Sequence, residues 1–285
     1  MRRSISIRGA LRDAQKNGFK LLDLQLLLLS ALGENINDRA WLLINDKVVL
    51  NDSQEEVWVK SLERLRNDEP VAYILGKKEF FGLPFHVNSH VLIPRPDTET
   101  LVNWALSLTY ERDPSPQSAG CILDLGTGSG AVALSIKSVL KKWHLVATDI
   151  NSDALATAAL NARELDSQVS FYQGSWFAAL PSNLTAFDLI VTNPPYIPEN
   201  DPHLVDLTFE PQEALTSGND GLRDIKEIVA SAPSYLRPNG WLLIEHGHNQ
   251  ASIVQDLLHL SGFRNIESKR DLNQIQRCSG GQWGT

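Results

Sequence analysis

The four residues Asn193-Pro194-Pro195-Tyr196 have the chemistry to hold a planar –NH2 group while its nitrogen is methylated. The two prolines fix φ and lack a backbone N–H, so this turn is stiff and presents carbonyl oxygens. The side chain of Asn193 adds an acceptor oxygen, and Tyr196 offers a flat face on which an amide or a base can stack. We therefore predict Asn193, Pro194 and Tyr196 as catalytic residues, and all four as substrate-binding residues. Without a cofactor site nearby, a plain turn after a strand would be the better interpretation.

A glycine-rich turn between an apolar strand and a helix predicts that cofactor site. Gly126, Gly128 and Gly130 let the backbone turn sharply and let a ligand approach closely. Asp149 ends the next predicted strand, close to the spacing of about 20 residues at which an acidic residue reaches ribose hydroxyls. The glycine loop, the acid and the Asn-Pro-Pro-Tyr turn, in that order, indicate a methyltransferase site.

The spacing of the glycines favours S-adenosylmethionine as the cofactor. Gly-x-Gly-x-Gly differs from the Gly-x-Gly-x-x-Gly of pyrophosphate-binding dehydrogenases. S-adenosylmethionine carries no phosphate, and its adenosine and amino-acid ends need hydrogen bonds rather than an anion site. Asp124, just before the glycines, either orients the loop or meets the cationic methionine end.

Several further motifs carry a resemblance over residues from about 70 to 285. They read Glu-Phe-Phe-Gly-Leu at 79–83, Leu-Ile-Pro-Arg-Pro-Asp-Thr-Glu at 92–99, Ser-Trp-Phe at 175–177, Asp-Pro-His at 201–203, Phe-Glu-Pro at 209–211 and Leu-Ile-Glu-His-Gly at 243–247. With the glycine loop and the Asn-Pro-Pro-Tyr turn, they resemble the bacterial peptide-chain release factor glutamine methyltransferases. The run at 93–99 is the most discriminating, because related ribosomal-protein glutamine methyltransferases resemble it less well.

The resemblance implies an activity and roles for individual residues. The family transfers methyl from S-adenosylmethionine to the side-chain amide nitrogen of the Gln in a Gly-Gly-Gln loop of release factors, which would be the protein partners. Asn193 and the Pro194 carbonyl would hold that amide, Tyr196 would pack against it, and Pro195 would keep the turn rigid. Trp176 would contact the adenine, with a core tryptophan as the alternative. The predicted cofactor-binding residues are Gly126, Thr127, Gly128, Ser129, Gly130, Asp149, Trp176 and Asn193.

The elements that must position these residues alternate between strand and helix from Asp97 onward. Strands are predicted at 121–125, 143–148, 168–172, 187–192 and 240–245, and helices at 98–109, 131–140, 152–164, 221–236 and 250–261. This alternation predicts an α/β fold, a doubly wound and mostly parallel sheet of the Rossmann-like methyltransferase type. The predicted site residues follow strands, and such sheets bind ligands at the carboxyl ends of their strands.

We predict three segments in the chain. Residues 1–75 would form a small helical domain for substrate recognition, with helices at 5–17, 23–32, 39–44 and 54–67, and a purely stabilising cap is the alternative. Residues 76–96 are predicted to form a β-hairpin linker, and residues 97–285 are predicted to form the methyltransferase domain. The apolar run at 21–32 is interrupted by Asp23 and Gln25 and is too short to span a bilayer, so we expect a buried helix rather than a targeting segment.

Composition agrees with a cytoplasmic protein that does not act at a membrane. The chain has 285 residues, 42% of them hydrophobic, and a net charge of −8. That charge argues against a broad nucleic-acid-binding surface, so we expect no direct nucleic-acid substrate. The two cysteines, Cys121 and Cys278, have neither metal nor disulfide spacing, which indicates a reducing compartment.

Other polar residues have less specific interpretations. His246 and His248 lack further ligands at metal-site spacing, so we predict no metal and a hydrogen-bonding role at a strand end. Arg95 either positions the substrate loop or pairs with Asp97 or Glu99. His203 and Glu210 lie in an irregular segment, 197–219, which we expect to face the substrate.

The tail contains Gly280-Gly281-Gln282, the tripeptide that the resembled family methylates. Members of that family usually end in a strand here, and this sequence departs from their ending after Arg277. Coincidence is the favoured interpretation, and a pseudosubstrate or self-methylation role is the alternative.

Two other classes of function stay open at this point. The Asn-Pro-Pro-Tyr turn suits an adenine-N6 methyltransferase acting on DNA or RNA, because a flipped base can stack on Tyr196. Acidic net charge and the lack of a recognisable target-recognition domain disfavour it. A non-enzymatic adaptor that binds the cofactor is the other alternative, and the intact turn disfavours that one.

Overall fold

A computed structural model describes residues 5–112, 115, 119–184 and 186–284. The chain divides into two compact units, Met1–Lys77 and Lys78–Thr285. Across these described ranges, none of the helices has the length and apolar character needed to cross a membrane.

The first unit is helical. Its helices are α1 (Ile7–Gln15), α2 (Leu21–Leu32), α3 (Arg39–Ile44), α4 (Asp52–Arg66) and α5 (Val71–Leu75). Helix α2 is the centre of this unit, because Leu24, Leu28 and Leu29 are fully buried in its core. Asn51 and Gln54 cap α4 reciprocally, side chain to backbone, which fixes the start of this helix at Asp52. Helix α5 was not predicted, since its five residues are too few to show a period.

A β-hairpin follows, as predicted, but its strands cover only residues 77–86 of the predicted segment 76–96. Strands β1 (Lys77–Phe80) and β2 (Leu83–His86) are joined by Phe81 and Gly82, both with positive φ, at 54° and 71°. Two such residues give the twist that a tight hairpin turn requires. The apolar residues beyond β2 are buried without forming a strand.

The second unit is built on a sheet of seven strands within the described part of the chain, in the order β5-β4-β3-β6-β7-β9-β8. The strands are β3 (Cys121–Leu125), β4 (His144–Asp149), β5 (Ser170–Gln173), β6 (Phe187–Thr192), β7 (Leu236–Glu245), β8 (Phe263–Arg270) and β9 (Gln276–Trp283). Neighbours from β5 to β7 pair in parallel, and β9 is antiparallel to both β7 and β8. This topology confirms the predicted doubly wound, mostly parallel fold.

Helices cover both faces of the sheet. They are α6 (Glu99–Arg112), α7 (Ala131–Val139), α8 (Ser152–Glu164), α9 (Arg223–Ser231) and α10 (Ala251–Leu260). Along β6, Leu189 and Val191 enter the core cluster that contains residues of α6 and α7, whereas Ile190 enters the cluster with α9 and α10. Every residue of β6 is buried, so its sequence is apolar except for Thr192 and for Asp188, which forms ion pairs with Arg112 and Arg237.

Two sequence predictions fail in the C-terminal part of the chain, from residue 221 onward. The helix predicted over 221–236 ends at Ser231, because Pro233 follows it, and β7 already begins at Leu236. Strands β8 and β9 were not predicted, and the expectation that the chain departs from a strand ending after Arg277 is wrong. Their sequences alternate poorly and contain Gly280 and Gly281, so the period of a strand is obscured.

Candidate active site

A cavity of about 390 Å³ lies beside the carboxyl ends of β3, β4 and β6. The predicted residues on its wall are Gly126, Thr127, Gly128, Ser129, Asp149, Trp176, Asn193 and Pro195. Most of the predicted cofactor and substrate residues are therefore brought together around one space. Gly130, Pro194 and Tyr196 are not among the lining residues.

Asp149 holds the glycine loop in place. Its Oδ2 accepts a hydrogen bond from the backbone N–H of Gly128 at 2.8 Å, and its Oδ1 accepts one from Asn151 at 2.9 Å. Burial raises the pKa of the Asp149 carboxyl, and these backbone donors oppose that rise. The acid at the end of β4 thus fixes the loop as well as lining the cavity.

Asp124, in strand β3, also orients the glycine loop. Its Oδ2 accepts hydrogen bonds from the hydroxyl of Thr127 at 2.6 Å and from the backbone N–H of Ala133 at 3.2 Å. The side chain is fully enclosed, and burial raises the pKa of Asp124 to about 7. Of the two roles considered for Asp124, loop orientation is the one these hydrogen bonds show.

Asn161 connects the glycine loop to the hairpin, a role that the sequence analysis missed. From the middle of α8, its Nδ2 donates to the carbonyl oxygens of Ser129 at 2.9 Å and His86 at 3.0 Å. Its Oδ1 accepts from the backbone N–H of His86 at 2.7 Å. An asparagine inside a helix, where it is disfavoured, was the available signal.

Trp176 lies against the glycine loop. It has a positive φ of 43°, and a Cβ built on Gly126 would lie 3.1 Å from its ring. Gly126 itself has a φ of 70°, so both its backbone and this ring favour glycine there. The ring lines the cavity and also packs against the core.

Gly130 serves helix packing rather than the cavity. It has a φ of 82° at the start of α7, and a Cβ there would lie 2.9 Å from Leu134 Cδ1 and 3.3 Å from Ala158 Cβ. Close packing against Leu134 and Ala158 therefore explains why a glycine is needed at this position.

Residues outside the cavity lining hold the Asn-Pro-Pro-Tyr turn in place. The carbonyl oxygen of Tyr196 accepts a hydrogen bond from Gln250 Nε2 at 3.1 Å, and any Cβ at Gly221 would collide with that oxygen. Pro194 is buried, and the half-buried ring of Tyr196 packs against the core. Burial also raises the pKa of the Tyr196 phenol. Only Asn193 and Pro195 of the turn line the cavity.

Asn193 has two buried polar neighbours that were not predicted as site residues. Its Nδ2 lies 3.4 Å from the hydroxyl oxygen of Thr98, in the conspicuous 92–99 run. Glu245 ends β7 beside it, and burial raises the pKa of Glu245 to about 7, opposed by hydrogen bonds from Thr98 and Asn193. An acid directly after the apolar stretch 242–244 was the signal for Glu245, the same positional rule that identified Asp149.

Arg95 joins the 92–99 run to the irregular segment 197–219. It forms an ion pair with Glu210, whose other oxygen accepts from the backbone N–H of Ile93 at 3.0 Å. The alternative partners were wrong. Asp97 pairs with Arg277 at 3.2 Å, and Glu99 accepts from the N–H of Phe81 at 3.0 Å.

The histidines take part in hydrogen bonds. His246 is buried, and its Nδ1 and Nε2 contact the Gly247 carbonyl at 2.9 Å and the Ser279 hydroxyl at 2.8 Å, which confirms the predicted role. His203 is exposed and contacts Asp201 at 2.8 Å, away from the cavity wall. Over the ranges the structure describes, no cluster of three His, Cys, Asp or Glu side chains could hold a metal ion.

The tail tripeptide belongs to the sheet. Gln282 pairs in register with Trp241, whereas Glu245 at the carboxyl end of β7 pairs with Cys278. The Gln282 amide donates to the Asn239 carbonyl at 3.1 Å and accepts from Asn265 at 2.8 Å. Gln282 therefore pairs with the middle of β7, four positions before Glu245, and its amide is held by Asn239 and Asn265, so the structure favours coincidence over a pseudosubstrate role.

Comparisons with known proteins agree with this architecture. Residues 7–76 match the model of the PrmC N-terminal domain, and residues 116–283 match a methyltransferase domain. A methyltransferase from Pyrococcus furiosus, 14% identical, aligns over 79% of this chain and 99% of its own with a TM-score of 0.53, which supports the fold alone.

Two curated relatives cover almost the whole chain. The release factor glutamine methyltransferase of Shewanella oneidensis is 42% identical over 92% of this chain and 89% of its own. That of Coxiella burnetii is 44% identical over 90% of this chain and 89% of its own. Identity at this level over most of both chains establishes common descent, and the chain belongs to the family of release factor glutamine methyltransferases.

Proposed function

We propose that this protein transfers a methyl group from S-adenosylmethionine to the side-chain amide nitrogen of the glutamine in the Gly-Gly-Gln loop of a peptide chain release factor. One observation carries the proposal: Asn193 and Pro195 line the same cavity as the glycine loop and Asp149. An amide-holding turn and a nucleoside-type site thus face one space. The names of the curated relatives support the choice of substrate.

The residues around the loop fit S-adenosylmethionine better than a phosphate-bearing cofactor. The carboxyl of Asp149 lines the cavity at the glycines, where it would repel phosphate. A Cβ on Gly128 would meet nothing within 4 Å, so the loop leaves open space for a ligand. When bound, S-adenosylmethionine supplies an electrophilic methyl group on a positively charged sulfur.

The turn residues would prepare the glutamine amide. Asn193 Oδ1 at the cavity wall and the adjoining Pro194 carbonyl would accept its two N–H hydrogens, and Pro195 would keep the turn rigid. Pro194 and Tyr196 are not among the lining residues, so Tyr196 would support the turn from the core. Held by these acceptors, the amide nitrogen would direct its lone pair toward the methyl group that S-adenosylmethionine would supply, and it would release one proton to water. No strong base is needed, because positioning and electrostatics supply most of the rate.

We propose that the segment 1–75 recognises the release factor, with 76–96 as a linker and 97–285 as the catalytic domain. The exposure of large apolar side chains supports this, since Leu43 is 73% exposed and Ile44 is 81% exposed. If the segment only stabilises the protein, Ile44→Lys will leave KM for release factor unchanged. We place the reaction in the cytoplasm, where free thiols such as those of Cys121 and Cys278 persist.

A labelling experiment tests the activity. Radiolabelled S-adenosylmethionine is supplied with release factor, with a release factor whose loop glutamine is replaced by alanine, and with DNA. We expect label on the first only. Label on DNA would instead support an adenine methyltransferase, and no label on any of the three would support an adaptor.

A variant tests the role of the turn. Asn193→Ala should lose most of the transfer while cofactor binding, measured by calorimetry, largely survives. Asn103→Ala, an exposed asparagine on α6, is the matched control and should be fully active. Undiminished turnover in Asn193→Ala would remove Asn193 from the mechanism.

A further inference from the structure

The ends of β6 and β7 place a buried carboxyl beside Asn193. The two strands pair in parallel with Thr192 opposite Ile244, so Asn193 and Glu245 follow at the same level. Glu245 is 1% exposed, and within the described chain its Oε2 has no hydrogen-bond partner. A buried carboxyl in this position is costly, so a functional reason for it is worth seeking.

Thr98 lies between the two side chains. It is 4% exposed, and its hydroxyl oxygen is 3.4 Å from Asn193 Nδ2. Thr98 and Asn193 both lie close enough to the Glu245 carboxyl to favour its ionised form, which places Glu245 within reach of the Thr98 hydroxyl. The contact of 3.4 Å is long, and such contacts at active sites tighten when substrate binds. A threonine hydroxyl has one hydrogen, so donating it to Glu245 leaves its lone pairs for the Asn193 N–H.

The orientation of the Asn193 amide matters for the proposed reaction. Its oxygen must face the substrate –NH2, because a flipped side chain would present an N–H donor to two other donors. The two ends of an asparagine amide are nearly the same size, so shape alone does not select the orientation. Hydrogen bonds on the far side of the amide must do so.

We propose that Glu245 is a positioning residue which, acting with Thr98, holds Asn193 with Nδ2 turned inward and Oδ1 turned toward the substrate amide. This inference rests on the proposed function. Ionised Glu245 only accepts hydrogen bonds, so it commits the Thr98 hydrogen to itself and keeps Asn193 Nδ2 facing the Thr98 oxygen. Protonated Glu245 can donate to Thr98 instead, which releases that constraint.

Other charged and titratable groups face Glu245 from the neighbouring elements. Arg277 on β9 favours the ionised form, and Asp97, beside Thr98, opposes it. Tyr196 and Cys278 also interact with the Glu245 charge, and His246 follows it in the chain. Burial outweighs Arg277 and raises the pKa of Glu245 to about 7, so its ionisation falls in the range where the enzyme can be assayed.

Three conservative variants test the proposal in the full-length protein. Thr98→Val and Glu245→Gln keep the shape of the side chain but disrupt the proposed hydrogen bonds from Thr98 to Glu245 and from Asn193 to Thr98. Each should lower kcat about ten- to a hundredfold, equal to about 1.4–2.8 kcal/mol. The KM for S-adenosylmethionine should stay within about threefold, because neither change alters the glycine loop. Thr98→Ser keeps the hydroxyl and should retain most of kcat.

A pH profile separates positioning from a general structural role. The kcat of the wild type should rise with pH through about 7 as Glu245 ionises, and Glu245→Gln should lack this rise. A residue that only supports the fold would lower activity equally at every pH. Wild-type kcat in both Thr98→Val and Glu245→Gln, or an unchanged pH profile in Glu245→Gln, would overturn the proposal.

A second measurement does not depend on the release factor. In protein labelled with 15N-asparagine, the Asn193 side-chain hydrogens, assigned by their loss in Asn193→Asp, should exchange slowly with water and exchange faster in Thr98→Val. Equal exchange in the two proteins would refute the hydrogen-bonded arrangement. If the wild type fails to methylate release factor, the proposed function fails, while this exchange measurement still decides the orientation of Asn193.

Discussion

Asn161 donates a hydrogen bond from its side chain to the carbonyl oxygen of Ser129 at 2.9 Å, across 32 positions of sequence. The same buried side chain makes two further hydrogen bonds to the backbone of His86. One residue of α8 thereby fixes the shape of the glycine loop and the end of the hairpin together.

Asn161→Ala should destabilise the second unit and weaken cofactor binding. The unfolding free energy should fall by roughly 2–4 kcal/mol, because buried polar groups left unpaired cost about 1–3 kcal/mol each. Urea unfolding and calorimetric titration with S-adenosylmethionine measure the two effects. Asn103→Ala, an exposed asparagine on α6, should change neither quantity. Full cofactor affinity in Asn161→Ala would mean that the loop keeps its shape unaided.

Gly128→Ala should reduce cofactor affinity more than it reduces stability. Gly128 has a φ of 56°, and its missing side chain faces open space in the cavity. An alanine there costs about 1–2 kcal/mol in the left-handed conformation and extends a methyl group into the ligand space. We expect the Kd for S-adenosylmethionine to rise about tenfold or more, equal to at least about 1.4 kcal/mol.

Gly33→Ala is the matched control for that variant. Gly33 caps α2 with a φ of 77° and likewise has no atom within 4 Å of a built Cβ. The two substitutions impose similar backbone strain, so thermal melting should shift by similar amounts. Only Gly128→Ala should alter the titration, and equal Kd values would show that the methyl group does not enter the ligand space.

Asp124→Asn should gain stability over the wild type as the pH rises. Burial raises the folded-state pKa of Asp124 from 3.8 to about 7, so between about pH 4 and 7 the native protein binds a proton that the unfolded chain has lost. The wild type therefore loses stability over this window, by up to roughly 4 kcal/mol at 1.36 kcal/mol per unit. Urea unfolding of both proteins at several pH values measures the difference. A difference that is independent of pH would contradict this interpretation of Asp124.

Gly280→Ala should destabilise the sheet strongly. A Cβ at this position would lie 2.7 Å from the Leu242 carbonyl oxygen and 2.8 Å from the Trp104 ring. Overpacking of this kind costs about 1–3 kcal/mol, and more where backbone cannot move. Gln282→Ala should change the unfolding free energy by less than about 1.5 kcal/mol, since the hydrogen bonds of its side-chain amide are exposed.

A mass gain of the wild type with S-adenosylmethionine, lost in Gln282→Ala, would restore the self-methylation hypothesis.

The parallel half of the sheet could be predicted from the sequence because strands that are buried on both faces have mostly apolar sequences, which are easy to recognise. Strand β6 is mostly apolar, and each glycine or polar turn after such a strand marks a carboxyl end. The loop at 126–130, Asp149 and Asn193 were found by that rule. The antiparallel β8 and β9 escaped it, since β8 has exposed and charged residues on much of its length.

The supporting residues of the site could not be predicted in the same way. Glu245 follows the strand-end rule although it was not singled out. Asn161 and Glu210 act through partners that are distant in sequence, and only the folded chain brings Glu210 to Arg95 or Asn161 to Ser129. Local patterns identify which residues face a ligand. They do not reveal which buried polar residues hold those residues in place.

The position of β9 has a consequence for biosynthesis. It is later in the chain than β8, yet it lies between β7 and β8 in the sheet. A nascent chain that has emerged only as far as β8 therefore lacks β9, the native neighbour of β8, and β7 presents its open edge to solvent. An open strand edge invites pairing with other chains. Completion of the catalytic sheet, and protection of that edge, must await the synthesis of residues 276–283.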